Sequence, residues 1–217
     1  MYDRDVAMDR WATFDCYGTL IDWNGGIRGE LARVFGEERA DEQLERYHEL
    51  EPELEADGRR SYREVLTEAM RRLGAPTEEE DALARSLPSW QPFPEVPDAL
   101  RRVRERGWKL VILSNTDRDF IEASIKHLGV PFERAIVASE IGSYKPALAH
   151  WETFEREVGC PPDVHVAASL FHDIASANAL GLRSIWINRL GERPGPEPTN
   201  ELPDLRRLPD ALEEVDA

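Results

Sequence analysis

Short apolar runs alternate with amphipathic helical segments through the second half of the chain. The predicted helices each end at a glycine, at Gly107, Gly129, Gly159 and Gly181. The predicted strands between them span residues 109–113, 135–138, 164–168 and 184–187. Nearly continuous apolar strands that alternate with helices are typical of a parallel sheet covered by helices on both faces. The pattern therefore predicts a doubly wound, Rossmann-like α/β fold.

The first half of the chain contains one further strand pattern and a long helical stretch. The apolar residues 11–16 predict a buried strand that ends in the turn sequence Tyr-Gly-Thr at 17–19. From residue 22 to residue 93, apolar side chains recur at helical spacings. The sequence thus predicts a core of residues 1–21 and 94–217, with an all-helical cap domain, residues 22–93, inserted after the first strand.

Two capping boxes predict helix starts within the inserted stretch. They are Ser-Tyr-Arg-Glu at 61–64 and Thr-Glu-Glu-Glu at 77–80. In a capping box the hydroxyl and the carboxylate each accept a hydrogen bond from a backbone amide that has no partner within the helix. We therefore expect one helix to begin at each box.

The charge balance excludes several classes of partner. The chain has 27 Lys and Arg residues against 43 Asp and Glu residues, a formal net charge of −16, and only three of the basic residues are lysines. A field of this sign repels nucleic acid phosphates and anionic membrane surfaces, so we expect neither as a partner. No run approaches the roughly 18 apolar residues of a membrane span. Cys16 and Cys160 form no CxxC pair, which is typical of a reducing compartment and predicts a cytoplasmic protein.

Polar side chains follow four of the predicted strands. They are Asp15, Tyr17 and Thr19, then Ser114, Asn115 and Asp117, then Glu140, Tyr144 and Lys145, and finally Ser169 and Asp173. Doubly wound sheets bind ligands beyond the carboxyl ends of their strands. We therefore expect these residues to form one site.

Each of these residues has a functional and a structural interpretation. Asp15 suits a nucleophile because the sheet fixes it and turn amides can bind its second oxygen, but it could equally cap a turn. Lys145 can hold two carboxylates together, or it can be solvated, although the chain otherwise prefers Arg. Ser114 and Asn115 can bind an anion or form an ordinary turn. Asp173 can position water or cap the next helix.

Taken together, these motifs resemble those of the haloacid dehalogenase superfamily. Phe-Asp-Cys-Tyr-Gly-Thr-Leu at 14–20, Leu-Ser-Asn at 113–115, Tyr-Lys-Pro at 144–146 and Asp173 match its four motifs in order. Phosphatases of the superfamily carry a second Asp where this chain has Tyr17, and a phenol with a pKa of about 10 replaces that acid and base poorly. Asp-x-Tyr-Gly-Thr is instead the pattern of the (S)-2-haloacid dehalogenases. The resemblance implies hydrolysis of small 2-haloacids to 2-hydroxy acids, with no metal and no other cofactor.

The resemblance also implies roles for individual residues. Asp15 would attack the carbon that bears the halogen, and water would then hydrolyse the aspartyl ester at the Asp15 carboxyl carbon. Lys145 would keep Asp15 ionised, and Asp173 would orient or activate the water. The residues that would contact the substrate carboxylate or the halide are Thr19, Tyr17, Ser114, Asn115, Ser169, Trp151 and Arg46.

Arg46 is included because Arg-Tyr-His-Glu-Leu-Glu at 46–51 resembles a segment of the family cap, Arg-x-x-x-Leu-Glu, whose arginine contacts substrate carboxylate or departing halide. The alternative is a surface arginine that pairs with Glu42 or Glu49. Two positions depart from the family pattern, since Leu170 replaces an Asn that helps to position water and Trp151 replaces a Tyr.

Two other functions remain open at this point. The first is a phosphatase of the same fold that acts on a small phosphate ester without the second Asp. The second is a catalytically silent binding protein on the same scaffold, although retention of Asp15, Lys145 and Asp173 together argues against it. The expected partner is a small anionic substrate, and the family resemblance favours a homodimer.

Overall fold

One parallel sheet forms the centre of the protein. The computed structural model describes residues 9–56, 58–193 and 195–216. Within them the strands are β1 (Arg10–Phe14), β2 (Trp108–Ser114), β3 (Arg134–Val137), β4 (Val164–Ala167), β5 (Ser184–Ile187) and β6 (Asn200–Leu202). Their order is β3-β2-β1-β4-β5-β6, and every neighbouring pair is parallel. The predicted doubly wound α/β fold is therefore confirmed, and its topology reverses between β1 and β4.

Helices connect the strands and cover the sheet. They are α1 (Trp23–Phe35), α2 (Ala40–Glu55), α3 (Tyr62–Leu73), α4 (Ala82–Ser86), α5 (Val96–Glu105), α6 (Arg118–Leu128), α7 (Ala138–Ile141), α8 (Ala149–Val158), α9 (Ala175–Ala179) and α10 (Leu208–Asp216). Successive side chains of β2 belong to different apolar clusters: Leu110 and Ile112 to one, Val111 and Leu113 to the other. Both faces of the strand are therefore buried, as the continuous apolar pattern predicts. No helix in the described ranges combines the length and apolar character needed to cross a bilayer.

Five of the described helices, α1 to α5, lie between β1 and β2, and the first four fall within the predicted helical insertion. Leu31, Tyr47 and Val65 of these helices are fully buried in the same apolar cluster as Phe14 and Ile112 of the sheet. The insertion and the sheet therefore share one continuous apolar core. Its division from the core as a separate cap domain at residues 22–93 stays a prediction. Residues 1–8, 194 and 217 of the predicted core and residue 57 of the predicted cap lie outside the described residues.

The two capping boxes have different outcomes. Ser61 forms the predicted box at the start of α3, where its hydroxyl accepts a hydrogen bond from the amide of Glu64, and the Glu64 carboxylate accepts one from Ser61. The prediction at residues 77–80 is wrong. Thr77 lies inside a short 3₁₀ helix that follows Pro76, and its side chain caps nothing there. The next α-helix begins only at Ala82.

Candidate active site

A cavity of about 620 Å³ lies at the carboxyl ends of the strands. The predicted site residues that line it are Asp15, Tyr17, Ser114, Asn115, Lys145, Ser169 and Asp173. Residues of the helical insertion line it as well, among them Glu51, Glu55 and Tyr62. The structure thus brings together side chains that follow β1, β2, β3 and β4, as the doubly wound topology requires.

Both carboxylate oxygens of Asp15 are held by hydrogen bonds. Asp15 follows β1 and is only 8% exposed. Its Oδ1 accepts a hydrogen bond from Lys145 Nζ at 2.9 Å, and its Oδ2 accepts one from Thr19 Oγ1 at 2.7 Å. The same Thr19 hydroxyl accepts a hydrogen bond from the amide of Ala168 at 2.9 Å. Between Asp15 and Thr19, Gly18 has a φ of +87°, a conformation that favours glycine. The turn after β1 therefore fixes the orientation of the carboxylate.

Lys145 connects the two buried carboxylates of the cavity. Its Nζ donates to Asp15 Oδ1 at 2.9 Å, to Asp173 Oδ1 at 2.6 Å and to the Leu113 carbonyl at 3.0 Å, which uses all three of its hydrogens. Burial lowers the pKa of this lysine, but the charges of Asp15 and Asp173 outweigh burial and hold the pKa above its usual range. Lys145 is therefore a permanent cation beside Asp15.

Asp173 is a buried, ionised carboxylate. Burial raises its pKa, but Lys145 and His165, whose Nε2 lies 3.0 Å from Asp173 Oδ1, outweigh burial and hold the pKa well below its usual range. Its Oδ2 is buried and has no hydrogen-bond partner among the described residues. A carboxylate with so low a pKa is a weak base, so Asp173 is poorly suited to remove a proton from water.

Tyr17 and Asn115 complete the wall beside Asp15. The Tyr17 ring stacks on Tyr62 with 6.3 Å between ring centroids, and its hydroxyl lies 3.0 Å from Ser124 Oγ. Burial raises the pKa of the Tyr17 phenol, which stays neutral. Asn115 Oδ1 accepts a hydrogen bond from the amide of Lys145 at 2.6 Å, and Nδ2 donates to the Lys145 carbonyl at 3.1 Å. Asn115 therefore braces the segment that carries Lys145.

Ser169 caps the irregular helical turn at Leu170–Ile174, which comes directly before α9. Its Oγ accepts a hydrogen bond from the amide of His172 at 3.0 Å. The His172 imidazole also lines the cavity, and burial lowers its pKa, so it is neutral at pH 7. The turn therefore presents a neutral imidazole beside Asp173.

Three predicted site residues do not line the cavity: Thr19 is fully buried and bonds Asp15 instead of substrate, while Arg46 and Trp151 lie farther away. Arg46 is exposed on α2 and donates to Gln43 Oε1 at 3.3 Å, so the structure supports neither the halide contact nor the alternative pairing with Glu42 or Glu49. The reason is helical geometry: at 100° per residue, Arg46 lies about 140° around the helix from Glu51. Trp151 is 3% exposed and packs in the second apolar cluster, edge-to-face with His165 at 5.2 Å. It therefore packs against His165, a neighbour of Asp173, and does not line the cavity.

Two acidic residues of α2 on the cavity wall were missed by the sequence motifs. Glu51 Oε1 accepts hydrogen bonds from the hydroxyls of Tyr47 at 2.9 Å and Tyr62 at 2.8 Å. Burial raises the pKa of Glu51 to about 7, and burial together with the Glu51 charge raises the pKa of Glu55 to about 9. The sequence pattern that could have identified them is the i, i+4, i+8 spacing of Tyr47, Glu51 and Glu55. This spacing places both acids on the same face of the helix as a buried aromatic residue.

No group of three or more His, Cys, Asp or Glu side chains in the described ranges is arranged to hold a metal ion. One arginine does line the cavity. Arg189 follows β5, donates to the Thr19 carbonyl at 2.9 Å and pairs with Glu95 at 2.7 Å. It is thus a second cation near the turn that carries Asp15, and its charge is balanced by Glu95.

Comparison with known proteins places the chain in a family. The profile of the haloacid dehalogenase-like hydrolases matches residues 10–181. The chain is 34% identical over 128 residues to an (S)-2-haloacid dehalogenase of Pseudomonas sp. (strain YL), a match that spans 56% of this chain and about half, 55%, of that protein. It is 28% identical over 214 residues to (S)-2-haloacid dehalogenase H-109 of Pseudomonas putida, which covers 92% of this chain and 96% of that one.

A solved L-2-haloacid dehalogenase superposes with a TM-score of 0.80 at 27% identity, over 96% of this chain and 99% of the other. The family match extends from β1 to the end of the helix after Asp173, so it contains the ends of β1 to β4 on the cavity wall, whereas the end of β5, with Arg189, lies beyond it. The chain belongs to the haloacid dehalogenase-like hydrolase family.

Proposed function

We propose that this protein hydrolyses small (S)-2-haloacids to 2-hydroxy acids, with Asp15 as the nucleophile. The observation that carries the proposal is the Asp15 carboxylate, held by Lys145 and Thr19 on the wall of the cavity. The substrate class comes from the relatives, whose names describe (S)-2-haloacid and L-2-haloacid dehalogenases. A small anionic substrate is the partner that this reaction requires.

In the first step an Asp15 oxygen attacks the carbon that bears the halogen. The carbon–oxygen bond forms as the carbon–halogen bond breaks, and the halide leaves with the bonding electron pair on the side opposite Asp15. The bonds from Lys145 and Thr19 orient the carboxylate before the attack, so little reorganisation is needed. No acid is needed to release the halide, since it leaves as a stable anion.

In the second step water attacks the carboxyl carbon of the Asp15 ester. The 2-hydroxy acid leaves with the original Asp15 oxygen, and the substrate carbon keeps its inverted configuration. We assign the orientation of that water to Asp173, which lines the cavity. The neutral His172 beside it can accept a proton from the water and return it to the hydroxy-acid oxygen as that oxygen leaves, a capacity that the weakly basic Asp173 lacks. The regenerated Asp15 carboxyl group releases its remaining proton to solvent.

The phosphatase alternative lacks a chemical group that it requires. A phosphatase of this kind needs a carboxyl group two residues after the nucleophile in order to protonate the departing alkoxide. Here that position holds Tyr17, a neutral phenol that contacts Ser124. A catalytically silent binding protein, the second alternative, would not require Asp15 and Asp173 to be joined by Lys145. Cytoplasmic location and a homodimer remain predictions of the sequence.

Halide release from (S)-2-chloropropionate tests the proposal. We expect the purified protein to release chloride with or without a chelator, and Asp15→Asn to release none above background. A chelator-sensitive activity on an aryl phosphate would instead favour the phosphatase. If the protein releases no halide from any 2-haloacid, from fluoro to iodo, the proposed function is wrong.

A further inference from the structure

Two glutamates of α2 form a wall of the cavity and have no part in the reaction as described so far. Glu51 and Glu55 are one helical turn apart and line the same cavity as Asp15. Glu55 is only 8% exposed. An attack from Asp15, which the sheet carries, drives the leaving group away from the sheet. The helical insertion that carries Glu51 and Glu55 therefore forms the surface that a departing halide meets.

The contacts of the two glutamates differ, and the difference decides which one keeps a proton. Glu51 Oε1 accepts hydrogen bonds from two phenols, Tyr47 at 2.9 Å and Tyr62 at 2.8 Å. The recorded contact of Glu55 is one long hydrogen bond from Asn115 Nδ2, at 3.4 Å. Two short donors stabilise a carboxylate better than one long donor, so Glu51 ionises first. Its negative charge, one turn away, then favours the neutral form of Glu55.

The other charged groups around Glu51 and Glu55 do not change which of the two keeps its proton. Lys145 is near enough to favour ionisation of Glu55, but its ammonium is bonded to Asp15 and Asp173. The pKa of Glu55 is therefore still raised, to about 9. The remaining titratable groups that face the pair or line the cavity are Tyr17 and Asp22 after β1, Tyr47 and His48 of α2, Tyr62 of α3, Tyr144, His172 after β4, and Arg189 and Glu192 after β5.

An ionised Glu55 would repel a departing halide, whereas its neutral carboxyl group can donate a hydrogen bond to it. The arginine expected for this task, Arg46, lies on another face of the helix. We propose that Glu55, in its neutral form, donates a hydrogen bond to the departing halide. Glu51 is a positioning residue that keeps the proton on Glu55. This inference rests on the proposed dehalogenation. No proton is transferred: the halide leaves with its electron pair, and the proton stays on Glu55.

A neutral donor at Glu55 stabilises the departing halides to different degrees. Fluoride concentrates its charge in the smallest volume and accepts hydrogen bonds most strongly of the halides, so it gains most from a neutral donor. A hydrogen bond to a charged acceptor changes a rate by about ten- to a hundredfold. We therefore expect Glu55 to matter more for 2-fluoro acids than for 2-bromo acids.

The test measures kcat/KM for (S)-2-fluoropropionate and (S)-2-bromopropionate from about pH 6 to about pH 11. It compares the wild type with Glu55→Gln, Glu55→Ala and the control Glu49→Gln, an exposed position on the same helix. The wild type and the control are expected to lose activity above about pH 9, where Glu55 ionises. Glu55→Gln keeps an N–H donor that does not titrate, so its activity is expected to persist at high pH.

Glu55→Ala removes the donor, and we expect its fluoride release to fall about tenfold more than its bromide release. A purely structural role for Glu55 would leave both the alkaline fall and the fluoride-to-bromide ratio unchanged. Three outcomes would overturn the assignment of Glu55 and leave the proposed function standing. They are a fall in activity at high pH that persists in Glu55→Gln, equal losses for both halogens in Glu55→Ala, and a wild type that releases bromide but no fluoride. A wild type that releases no halide at all overturns both.

Discussion

At the scale of single residues, one ammonium group organises the candidate site. Lys145 donates its three ammonium hydrogens to Asp15, Asp173 and the Leu113 carbonyl, with donor–acceptor distances between 2.6 and 3.0 Å. An ammonium is compact and directs its donors in three directions, whereas a guanidinium is a larger planar fork. Arg is the usual cation of this chain, with 24 of its 27 basic residues, so a lysine here reflects the shape of the site.

Lys145→Arg tests this requirement. We expect halide release to fall at least about a hundredfold, because the larger group cannot make the same three bonds without displacing Asp15. The measurement is kcat/KM for a 2-haloacid, with Lys126→Arg, an exposed lysine of α6, as the matched control. If Lys145→Arg retains near wild-type activity, positive charge alone is sufficient and the three-bond geometry is not required.

At the scale of elements, the rotation of α2 decides which side chains reach the cavity. The buried face of α2 carries Gln43, Tyr47, Leu54 and Glu55, and this packing turns Arg46 toward solvent. The match of residues 46–51 to a family segment fixes the residue types but not the rotation of the helix. The structure thus places acids where the sequence resemblance places a cation.

Arg46→Ala distinguishes the two placements. We expect kcat and KM for a 2-haloacid to stay within about twofold of the wild type, because exposed substitutions away from a site have small effects. A loss of tenfold or more in kcat/KM, with an unchanged melting temperature, would mean that Arg46 reaches the substrate and that α2 adopts another rotation during the reaction.

The same elements explain how far the sequence could predict the structure. Asp15 and Asn115 directly follow apolar strands, Ser114 ends one, and Asp173 comes one short turn after another. Parallel strands bring such residues to one edge of a sheet, so the topology alone predicts their meeting. Local capping chemistry predicted α3 but failed at 77–80, where Pro76 precedes a 3₁₀ helix.

Longer-range packing accounts for the elements that were missed. Strand β6 has only three residues, in a region rich in proline, and α10 follows it without a capping box. Both depend on contacts with distant elements, for example Leu202 and Leu212 in the main apolar cluster. A local sequence pattern does not predict such long-range contacts.

At the scale of the whole molecule, the net charge of −16 opposes an anionic substrate. Many surface arginines pair with carboxylates, as Arg33 does with Glu79 and Arg71 with Glu80, and so do not attract a distant anion. The cations that line the cavity, Lys145 and Arg189, are likewise bonded to acids. The approach of a haloacid anion is therefore disfavoured by the overall field until it enters the cavity.

Added salt should therefore improve substrate capture. Raising sodium sulfate to shift the ionic strength from about 0.02 M to about 0.3 M shortens the screening length, so we expect KM for a 2-haloacid to fall a few-fold at nearly constant kcat. Steady-state kinetics across the salt series gives this result directly. A KM that rises with salt would indicate a local positive field that attracts the substrate.

The central claim is that Asp15 forms an ester with the substrate and that water attacks the carboxyl carbon of Asp15. A single turnover of a 2-haloacid in ¹⁸O-labelled water, with enzyme in excess, tests it by mass spectrometry of the product and of the peptide that contains Asp15. The mechanism predicts an unlabelled hydroxy acid and one ¹⁸O atom in Asp15, because the product leaves with the original aspartate oxygen. Labelled hydroxy acid with unlabelled Asp15 would show direct attack of water on the substrate and would contradict the account.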